Sequence, residues 1–246
     1  MDKIKELADL LFGSNNIIAF TGAGMSTESG ILDFRSPDNG FFNKINPMDL
    51  SFPVLKDFTE DFYETFVKFV EPCKNAKPND GHYALAELER MGLINLVVTQ
   101  NIDGFHQQAG SQNVLEIHGH LRECSCMKCK KVYDYSVLDK LLTSGIRVPL
   151  SQCCNATLRP SVVLYYENLS KEFELFRKNL NQYDFALVMG TSLEVVPAAY
   201  IAQDIKNIAI INKGTTTYDY KAKLIIRDSI GETLDSLVQY LFEIGS

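Results

Sequence analysis

The sequence has no continuous apolar run that could cross a membrane, for which about eighteen or more apolar residues are needed. Basic residues are also scarce: 24 lysines and arginines stand against 31 aspartates and glutamates, which gives a formal net charge of −7. This balance repels phosphate backbones, so nucleic acid is not an expected partner. Internal repeats and low-complexity tracts are absent as well. With 246 residues, of which 46% are hydrophobic, the sequence predicts a soluble globular protein with a substantial core.

The beginning of the sequence lacks the features of a secretion signal. Residues Met1 to Ile4 open an amphipathic segment directly, without a basic region, an apolar stretch and a small-residue cleavage site. We therefore expect a cytoplasmic protein, with a monomer as the simplest state. Five of the six cysteines, all except Cys73, lie between positions 124 and 154. In a chain without an export signal, such clustering favours thiolate metal ligands over disulfides.

Short apolar runs recur along the chain and alternate with helical patterns. The runs lie at 17–21, 94–99, 114–117, 161–164, 185–189, 208–211 and 224–226. Helical spacing of apolar residues is present at 2–12, 82–91, 171–180, 197–205 and 232–242. Apolar strands that alternate with helices predict a parallel sheet covered on both faces, and hence an α/β fold.

Two stretches interrupt this alternation. Residues 36–74 contain several prolines and an aromatic-rich helical run at 58–70. Residues 120–157 contain the cysteine cluster, a short helical run at 137–142 and several turns. Both stretches are predicted to be insertions into the domain that carries the sheet.

The first apolar run leads directly into a glycine-rich loop. Gly22 and Gly24 follow the strand at 17–21, and a Gly-x-Gly turn lets backbone N–H groups approach a diphosphate. A plain turn between strand and helix is the alternative interpretation. The usual dinucleotide fingerprint is incomplete, because its third glycine position is Thr27 and no strand ending in Asp or Glu follows about twenty residues later. A standard hydride-transfer site is therefore disfavoured.

A carboxylate, an aromatic ring and a fixed cation follow this loop as Asp33, Phe34 and Arg35. The arginine can pair with a phosphate, and the phenylalanine can cover one face of a bound ring. Alternatively, Phe34 belongs to the core and Arg35 to a surface ion pair.

Polar residues also follow two further predicted strands. Gln100, Asn101 and Asp103 come after the run at 94–99, and His118 comes after the run at 114–117. Because the carboxyl ends of parallel strands share one edge of a sheet, we expect these side chains to meet where α/β proteins bind ligands. A histidine that faces an Asn and an Asp is a candidate for acid–base catalysis, although a lone histidine is more often structural.

These segments resemble the sirtuin family of NAD-dependent protein deacylases. The matching segments, in family order, are Gly22–Ser26, Ser29–Ile31, Asp33–Arg35, Thr99–Asp103 with His106 and Ala109–Gly110, His118–Gly119, Gly190–Leu193, Pro197–Ala198 and Ile211–Asn212. The resemblance implies a Rossmann-like domain formed by 1–35, 75–119 and 158–246. It also implies a smaller domain, formed by the helical insertion 36–74 and a zinc-binding module at 120–157.

The resemblance implies a role for individual residues. The residues implied to bind NAD are Gly22, Ala23, Gly24, Thr27, Asp33, Phe34, Arg35, Gln100, Asn101, Ile102, Asp103, Gly190, Thr191, Ser192, Asn212, Lys213 and Ile230. Among them, Asn101, Ile102 and Asp103 would line the pocket for the nicotinamide carboxamide. His118 would be the general base for a ribose hydroxyl, and Asn101 would be a second catalytic residue.

The implied reaction transfers the acyl group of an acyl-lysine peptide or protein to ADP-ribose and releases nicotinamide. A mono-ADP-ribosyltransferase or an NAD glycohydrolase is the alternative, since each shares cleavage of the glycosidic bond. A binding module without turnover would be plausible if Asn101, Asp103 or His118 were missing, but all three are present. The helical insertion lacks the Tyr-x-x-Arg pair that relatives use for acidic acyl groups, which favours neutral acyl chains.

The cysteines depart from the family's two Cys-x2-Cys pairs. Cys126 and Cys129 form a regular pair, but the second pair should begin near Ser151, which cannot supply a thiolate. The preferred zinc ligand set is Cys126, Cys129, Cys153 and Cys154. Alternatively, Cys124 supplies one ligand, or the site is weak or empty.

A second departure concerns the segment 163–168, where relatives pair with a peptide strand. Tyr166 stands at the position of a family glycine. A bulky ring at this position predicts a reshaped substrate groove, with the NAD chemistry unchanged.

Overall fold

The fold is described from a computed structural model, which covers residues 2–33, 40–43 and 45–245. In chain order the strands are β1 (Ile17–Thr21), β2 (Leu96–Thr99), β3 (Val114–Glu116), β4 (Gly119–Cys126), β5 (Val132–Asp134), β6 (Leu158–Val162), β7 (Phe185–Met189), β8 (Asn207–Ile211) and β9 (Leu224–Ile226). The α-helices are α1 (Asp2–Phe12), α2 (Phe52–Asp57), α3 (Thr59–Val70), α4 (Asp80–Arg90), α5 (Phe105–Ala109), α6 (Tyr135–Thr143), α7 (Lys171–Lys178), α8 (Tyr200–Asp204) and α9 (Ile230–Gly245).

Six of the strands form a parallel sheet in the order β3-β2-β1-β7-β8-β9. All residues of β1 and β7 are buried, because helices cover both faces of the sheet. Alternate residues of β1 pack on opposite sides: Ala19 contacts the cluster formed with α1, α4 and α9, whereas Phe20 contacts the cluster formed with α7 and α8. The predicted α/β fold with a Rossmann-like sheet is confirmed.

The other three strands form a small antiparallel sheet in the order β5-β4-β6. Its core also includes α2, α3 and α6, so the two predicted insertions pack on each other. Phe62, Tyr63 and Phe66 of α3 are almost fully buried there against Leu138 and Leu158. Apolar burial of this kind stabilises by about 25 cal/mol per Å², so the helical insertion is an integral half of the smaller domain.

One predicted strand belongs to a different sheet from the one expected. The run at 161–164 is predicted to be a strand of the parallel sheet, but its first two residues belong to β6, which is antiparallel to β4, and residues 163–164 lie outside any strand. The sequence does not specify the partner of an isolated apolar strand. The predicted helix at 197–205 is also shorter, because residues 196–199 form a turn before α8.

Within residues 2–33, 40–43 and 45–245, the search for a helix that is both long and apolar enough to span a membrane finds none.

Candidate active site

The carboxyl ends of the parallel strands surround one large cavity, called here the strand-end cavity, with a volume of about 880 Å³. It lies beside β1, where the strand order reverses between β2 on one side and β7 on the other. Such a switch point is where open α/β sheets bind ligands. The smaller domain closes the other side with Phe66, Phe69 and Val162. The cavity is therefore bordered by both domains.

Most of the predicted site residues line the strand-end cavity. They are Ala23, Gly24, Thr27, Asp33, Gln100, Asn101, Ile102, Asp103, His118, Gly190, Thr191, Ser192, Asn212, Lys213 and Ile230. Gly22 lies behind the wall, where its N–H donates to Met189 and its carbonyl accepts from Asn101. Phe34 and Arg35 fall outside the described residues, so their predicted roles stay predictions.

Glycines join the loop after β1 to the loop after β7. The N–H of Gly24 donates to the carbonyl of Gly190 over 2.8 Å. A Cβ added to Gly24 would lie 2.7 Å from the Cα of Gly190, and one added to Gly190 would lie 2.3 Å from the backbone N of Met25. Gly190 also has a φ of +62°, which disfavours side chains. These glycines are therefore required for contact between the two loops. The sequence predicts only that glycines here let the backbone approach a diphosphate, not that they let the loops touch.

Asn101 is buried, and protein acceptors use its amide hydrogens. Its Nδ2 donates to the carbonyl of Gly22 and to the hydroxyl of Ser26, each over 3.1 Å, and its backbone N–H donates to Thr99 Oγ1 over 3.0 Å. The side chain is thereby fixed in one orientation. Its Oδ1 is left as the group that can accept a hydrogen bond from a ligand.

Asp103 extends this network by two further bonds. Its Oδ2 accepts from Ser26 Oγ over 2.7 Å, and its Oδ1 accepts from the N–H of Phe105 over 3.0 Å. Burial raises the pKa of the Asp103 carboxyl above its usual value, although both hydrogen bonds act in the opposite direction. Asp103 thus holds Ser26, and Ser26 in turn accepts from Asn101, so the three side chains form one rigid unit.

His118 is held in a defined tautomer. Its Nδ1 lies 3.0 Å from the backbone carbonyl of Gln100. A carbonyl can only accept, so Nδ1 carries the proton and Nε2 keeps its lone pair. Burial lowers the pKa of His118 below its usual value, which keeps the ring neutral and able to take up a proton.

The residue after His118 must be a glycine. Gly119 has a φ of +78°, and a Cβ there would lie 2.2 Å from the carbonyl oxygen of Ser161. The N–H of Val163 donates to the carbonyl of His118 over 2.8 Å. This close contact brings the end of β6, from the smaller domain, against the histidine.

Gln100 and Thr191 join the loops after β2 and β7. Gln100 Nε2 donates to Thr191 Oγ1 over 3.0 Å, and the N–H of Leu193 donates to the same oxygen over 3.2 Å. Together with the glycine contact, these bonds connect the loops of three neighbouring strands. The polar edge is therefore fixed before any ligand binds, which reduces the entropic cost of binding.

Sequence reasoning assigned no role to several residues that line the cavity. Ser26 connects Asn101 to Asp103, and its position in the loop after β1 could have identified it. Asp228 lies two residues after β9, so the rule that found the other strand-end residues also applies to it. Pro72 and Cys73 line the cavity from the smaller domain, and no pattern in the sequence pointed to them.

A candidate metal site lies in the smaller domain, where Cys126 ends β4. Four sulfur atoms lie within 4.8 Å of one another, and they belong to Cys126, Cys129, Cys153 and Cys154. Tetrahedral zinc with Zn–S bonds of about 2.3 Å requires sulfur separations of about 3.8 Å. The donor set therefore fits Zn²⁺, and it is the set that the sequence favours.

The neighbouring residues show how the irregular pair is accommodated. Cys124 is buried apart from the four thiols, and its Sγ lies 3.7 Å from the carbonyl of Asp134. Ser151, at the position of the missing cysteine, donates its hydroxyl to Cys126 Sγ over 3.2 Å. Asn155 adopts a φ of +49°, which tightens the turn that carries Cys153 and Cys154. Ser151 is thus hydrogen-bonded to a candidate sulfur ligand and is not itself one of the four.

Comparison with known proteins agrees with this geometry. The chain is 39% identical over 234 residues to the NAD-dependent protein deacetylase 2 of Caldanaerobacter subterraneus subsp. tengcongensis, with 95% of this chain and 94% of that protein covered. It is 42% identical over 244 residues to the NAD-dependent protein deacetylase of Sulfurisphaera tokodaii, with 96% and 95% covered.

Solved structures are similar over the same length. A Sir2 structure with a deacetylated p53 peptide and 3′-O-acetyl ADP-ribose has a TM-score of 0.90 at 37% identity, and it covers 97% of this chain and 98% of its own. A Sir2 structure with a p53 peptide and NAD⁺ has a TM-score of 0.88 at 36% identity, with 98% and 99% covered. The family model described as Sir2 family matches residues 22–197. The chain therefore belongs to the Sir2 family.

Proposed function

We propose that this protein is an NAD-dependent protein lysine deacetylase, which transfers the acetyl group of an acetyl-lysine to ADP-ribose and releases nicotinamide. The observation that carries the proposal is the state of His118, which lines the strand-end cavity. Its Nδ1 carries the proton and donates a hydrogen bond to the carbonyl of Gln100, so its Nε2 is free to act as a base. The relatives named deacetylases and the structures that contain peptide, NAD⁺ and acetyl ADP-ribose support the same reaction.

The strand-end cavity suits NAD. Its volume of about 880 Å³ exceeds that of many ligand pockets, which measure about 300–1,000 Å³, and leaves room for a second substrate. Residues of the loops after β1 and β7 line the cavity, and so do Asn212, directly after β8, and Ile230, at the start of α9. When bound, NAD supplies a glycosidic bond whose cleavage releases nicotinamide and makes a ribose carbon electrophilic.

His118 acts as the general base. Its neutral Nε2 accepts a proton from a hydroxyl group, and the bond from Nδ1 to Gln100 stabilises the positively charged ring that results. A base is effective only in its neutral form, and burial of the ring favours that form. His118 therefore completes the transfer of the acyl group.

Asn101 and Asp103 orient the leaving end of the cosubstrate. Because Nδ2 of Asn101 is used by Gly22 and Ser26, its Oδ1 accepts from a donor such as an amide N–H or a water. Asp103 fixes Ser26 and thus keeps that oxygen in place. These residues exclude alternative orientations before bond cleavage, which is an entropic contribution to the rate.

The substrate is an acyl-lysine with a neutral acyl group. Phe66, Phe69 and Leu164 line the side of the cavity that the smaller domain contributes. Among the described residues that line the cavity, Lys213 is the only lysine or arginine, and it belongs to the loop after β8. The carboxylate of an acidic acyl chain would be buried against apolar side chains without a cationic partner among the described residues there, which disfavours binding of such a chain.

We further propose that the four clustered cysteines hold zinc as a structural site. Four thiolates complete a tetrahedron and leave no position for a substrate. The hydroxyl of Ser151 stabilises the thiolate of Cys126 by a hydrogen bond. The metal thus takes no part in the reaction and holds the outer end of the smaller domain together.

Product analysis tests the proposed reaction. Purified protein is incubated with NAD and an acetyl-lysine peptide, and the products are identified by mass spectrometry. We expect O-acetyl-ADP-ribose, nicotinamide and the free lysine peptide in equal amounts. Free ADP-ribose without loss of acetyl, or a peptide that carries ADP-ribose, would instead show a glycohydrolase or an ADP-ribosyltransferase.

A further inference from the structure

Tyr166 occupies a backbone position that normally requires glycine. The N–H of Glu167 donates to the carbonyl of Leu164 over 3.0 Å, which closes a four-residue turn with Tyr166 as its third residue. Tyr166 has a φ of +69°. Turns with a positive φ at the third residue favour Gly or Asn, because a Cβ is strained there.

An ion pair maintains this strained turn. Arg159 binds Glu167 through two hydrogen bonds of 2.6 and 2.8 Å, and the Glu167 carboxylate also accepts from the N–H of Leu164 over 3.0 Å. Burial alone would raise the pKa of Glu167, but Arg159 and the Leu164 N–H hold it below its usual value. These surrounding bonds hold the turn in its strained conformation, and local strain persists only where neighbouring groups hold it in this way.

The Tyr166 ring contributes little packing to the fold. It is 78% exposed, so its burial does not offset the strain. Leu193, another residue with positive φ, differs because its side chain is 98% buried in the core of the sheet domain. Lys130 has the same combination of a positive φ and exposure, so what distinguishes Tyr166 is that it directly follows the cavity-lining residues Val163–Tyr165, and this position points to a function for the ring.

Tyr166 directly follows residues that line the strand-end cavity. Val163, Leu164 and Tyr165 line the cavity directly before it in the chain. A second cavity-lining segment, Glu194–Val196, ends at Val196, which is 59% exposed. Because Tyr166 and Val196 are exposed beside cavity-lining residues, we expect the peptide backbone of an acyl-lysine that reaches His118 to pass near these two segments.

We propose that Tyr166 is a specificity-determining residue that binds an apolar side chain flanking the acyl-lysine of the substrate peptide. This inference rests on the proposed deacetylase function. An aliphatic or aromatic side chain would bury the exposed ring, which favours association. A charged side chain gains no partner from Glu167, because Arg159 already neutralises that carboxylate.

Two substitutions separate the strain from the ring. Tyr166→Gly removes both, whereas Tyr166→Ala removes the ring and keeps the strain. Lys130→Gly is the matched control, since Lys130 is also exposed, has a φ of +62° and lies outside the cavity lining. We expect Tyr166→Gly and Lys130→Gly each to raise the melting temperature by about 2–4 °C, and Tyr166→Ala to leave it nearly unchanged.

The decisive measurement is kcat/KM for acetyl-lysine peptides that differ only at the flanking positions, with Leu, Phe, Ala, Asp or Lys there. The wild-type protein should prefer Leu or Phe over Ala by about tenfold, which corresponds to one well-buried side chain. Tyr166→Gly and Tyr166→Ala should both lower this ratio to about twofold at most. Tyr166→Phe and Lys130→Gly should keep the wild-type ratio, and the KM for NAD should be the same in all variants.

The outcomes distinguish this inference from the function beneath it. If the wild-type protein deacetylates peptides and Tyr166→Gly keeps its preference for Leu or Phe at the flanking positions, the proposed role of the ring is wrong, but the proposed deacetylase function stands. The same holds for a wild-type preference for Lys or Asp, or for no preference at all. A wild-type protein that removes acetyl from none of the peptides would overturn the proposed function, and with it this inference.

Discussion

The strand-end edge of the large sheet and the cysteine-bearing end of the smaller domain achieve rigidity by different means. At the sheet edge, neighbouring parallel strands bring their loops together, and glycine contacts and hydrogen bonds such as Asn101–Ser26–Asp103 lock them. In the smaller domain, short antiparallel strands carry two turns, and the thiols of these turns lie within 4.8 Å of one another. The comparison teaches that secondary structure supports the first region, whereas the second would depend on the zinc ion proposed to bind there.

The strongest test breaks the chemistry of the sheet edge alone. His118→Ala removes the proposed base, so kcat should fall by about 10²–10⁴-fold, while the melting temperature and zinc content stay at their wild-type values. Steady-state rates and thermal unfolding measure the two effects.

His120→Ala is the control, since this histidine begins no loop at the sheet edge and does not line the cavity. Full activity of His118→Ala, or an equal loss in His120→Ala, would contradict the assignment.

The second test breaks the cysteine cluster. Cys153→Ala removes one of the four proposed ligands, so zinc should be lost and the smaller domain should unfold at lower temperature, because metal binding is coupled to folding. Zinc quantification and thermal unfolding are the measurements.

Cys124→Ala decides between the two ligand sets. It should keep its zinc, because the Cys124 sulfur lies apart from the cluster, although the lost packing lowers stability. Zinc loss in Cys124→Ala with retention in Cys153→Ala would favour the alternative set.

The third test strains the loop contact. Gly190→Ala places a methyl group 2.3 Å from the backbone N of Met25 at a φ of +62°, so we expect a loss of about 2–4 kcal/mol in the free energy of unfolding. The KM for NAD should also rise, since the loop after β1 must move. Chemical denaturation and kinetics measure the two effects.

Gly92→Ala isolates the backbone contribution. Gly92 has a φ of +77°, and a Cβ there would meet no atom within 4 Å. Its substitution should cost only about 1–2 kcal/mol and leave the KM for NAD unchanged. Equal losses in the two variants would show that the loop contact adds nothing.

The gentlest test uses pH to probe the core behind the sheet edge. Burial lowers the pKa of His82 to about 4 and that of His106 to about 3, against a usual value of 6.5. The unfolded chain takes up protons on these rings below pH 6.5, whereas the folded protein does not. Their contribution to stability is therefore complete above pH 6.5 and is lost as the pH falls towards 4 and 3.

Thermal unfolding between pH 7 and 4 measures this effect. The melting temperature should fall with pH, and the fall should be shallower in His82→Gln. An unchanged slope in that variant would contradict the contribution of His82.

The sheet edge could largely be predicted from the sequence, because a buried run followed by polar residues identifies both a strand and the end that binds a ligand. Gln100, Asn101, Asp103 and His118 meet at the cavity as this rule predicts. The hydrogen bonds between them could not be predicted, since they depend on which strands are neighbours.

The smaller domain was less predictable. The sequence does not state that β6 pairs with β4, because no crossover helix specifies its partner. The spacing of Cys153 and Cys154 left the ligand set open, and only the folded turn after Ser151 brings both sulfurs to the cluster. Local patterns thus identify elements, whereas irregular turns require the three-dimensional arrangement.

The contact between Gly24 and Gly190 has a consequence for how molecules enter the enzyme. Moving these two loops apart at the glycines would break the hydrogen bond between Gly24 and Gly190, so we expect the loops to keep one relative position here throughout turnover. Any widening of the cavity for binding or release then depends on its other walls, among them the one that Phe66 and Phe69 of the smaller domain contribute.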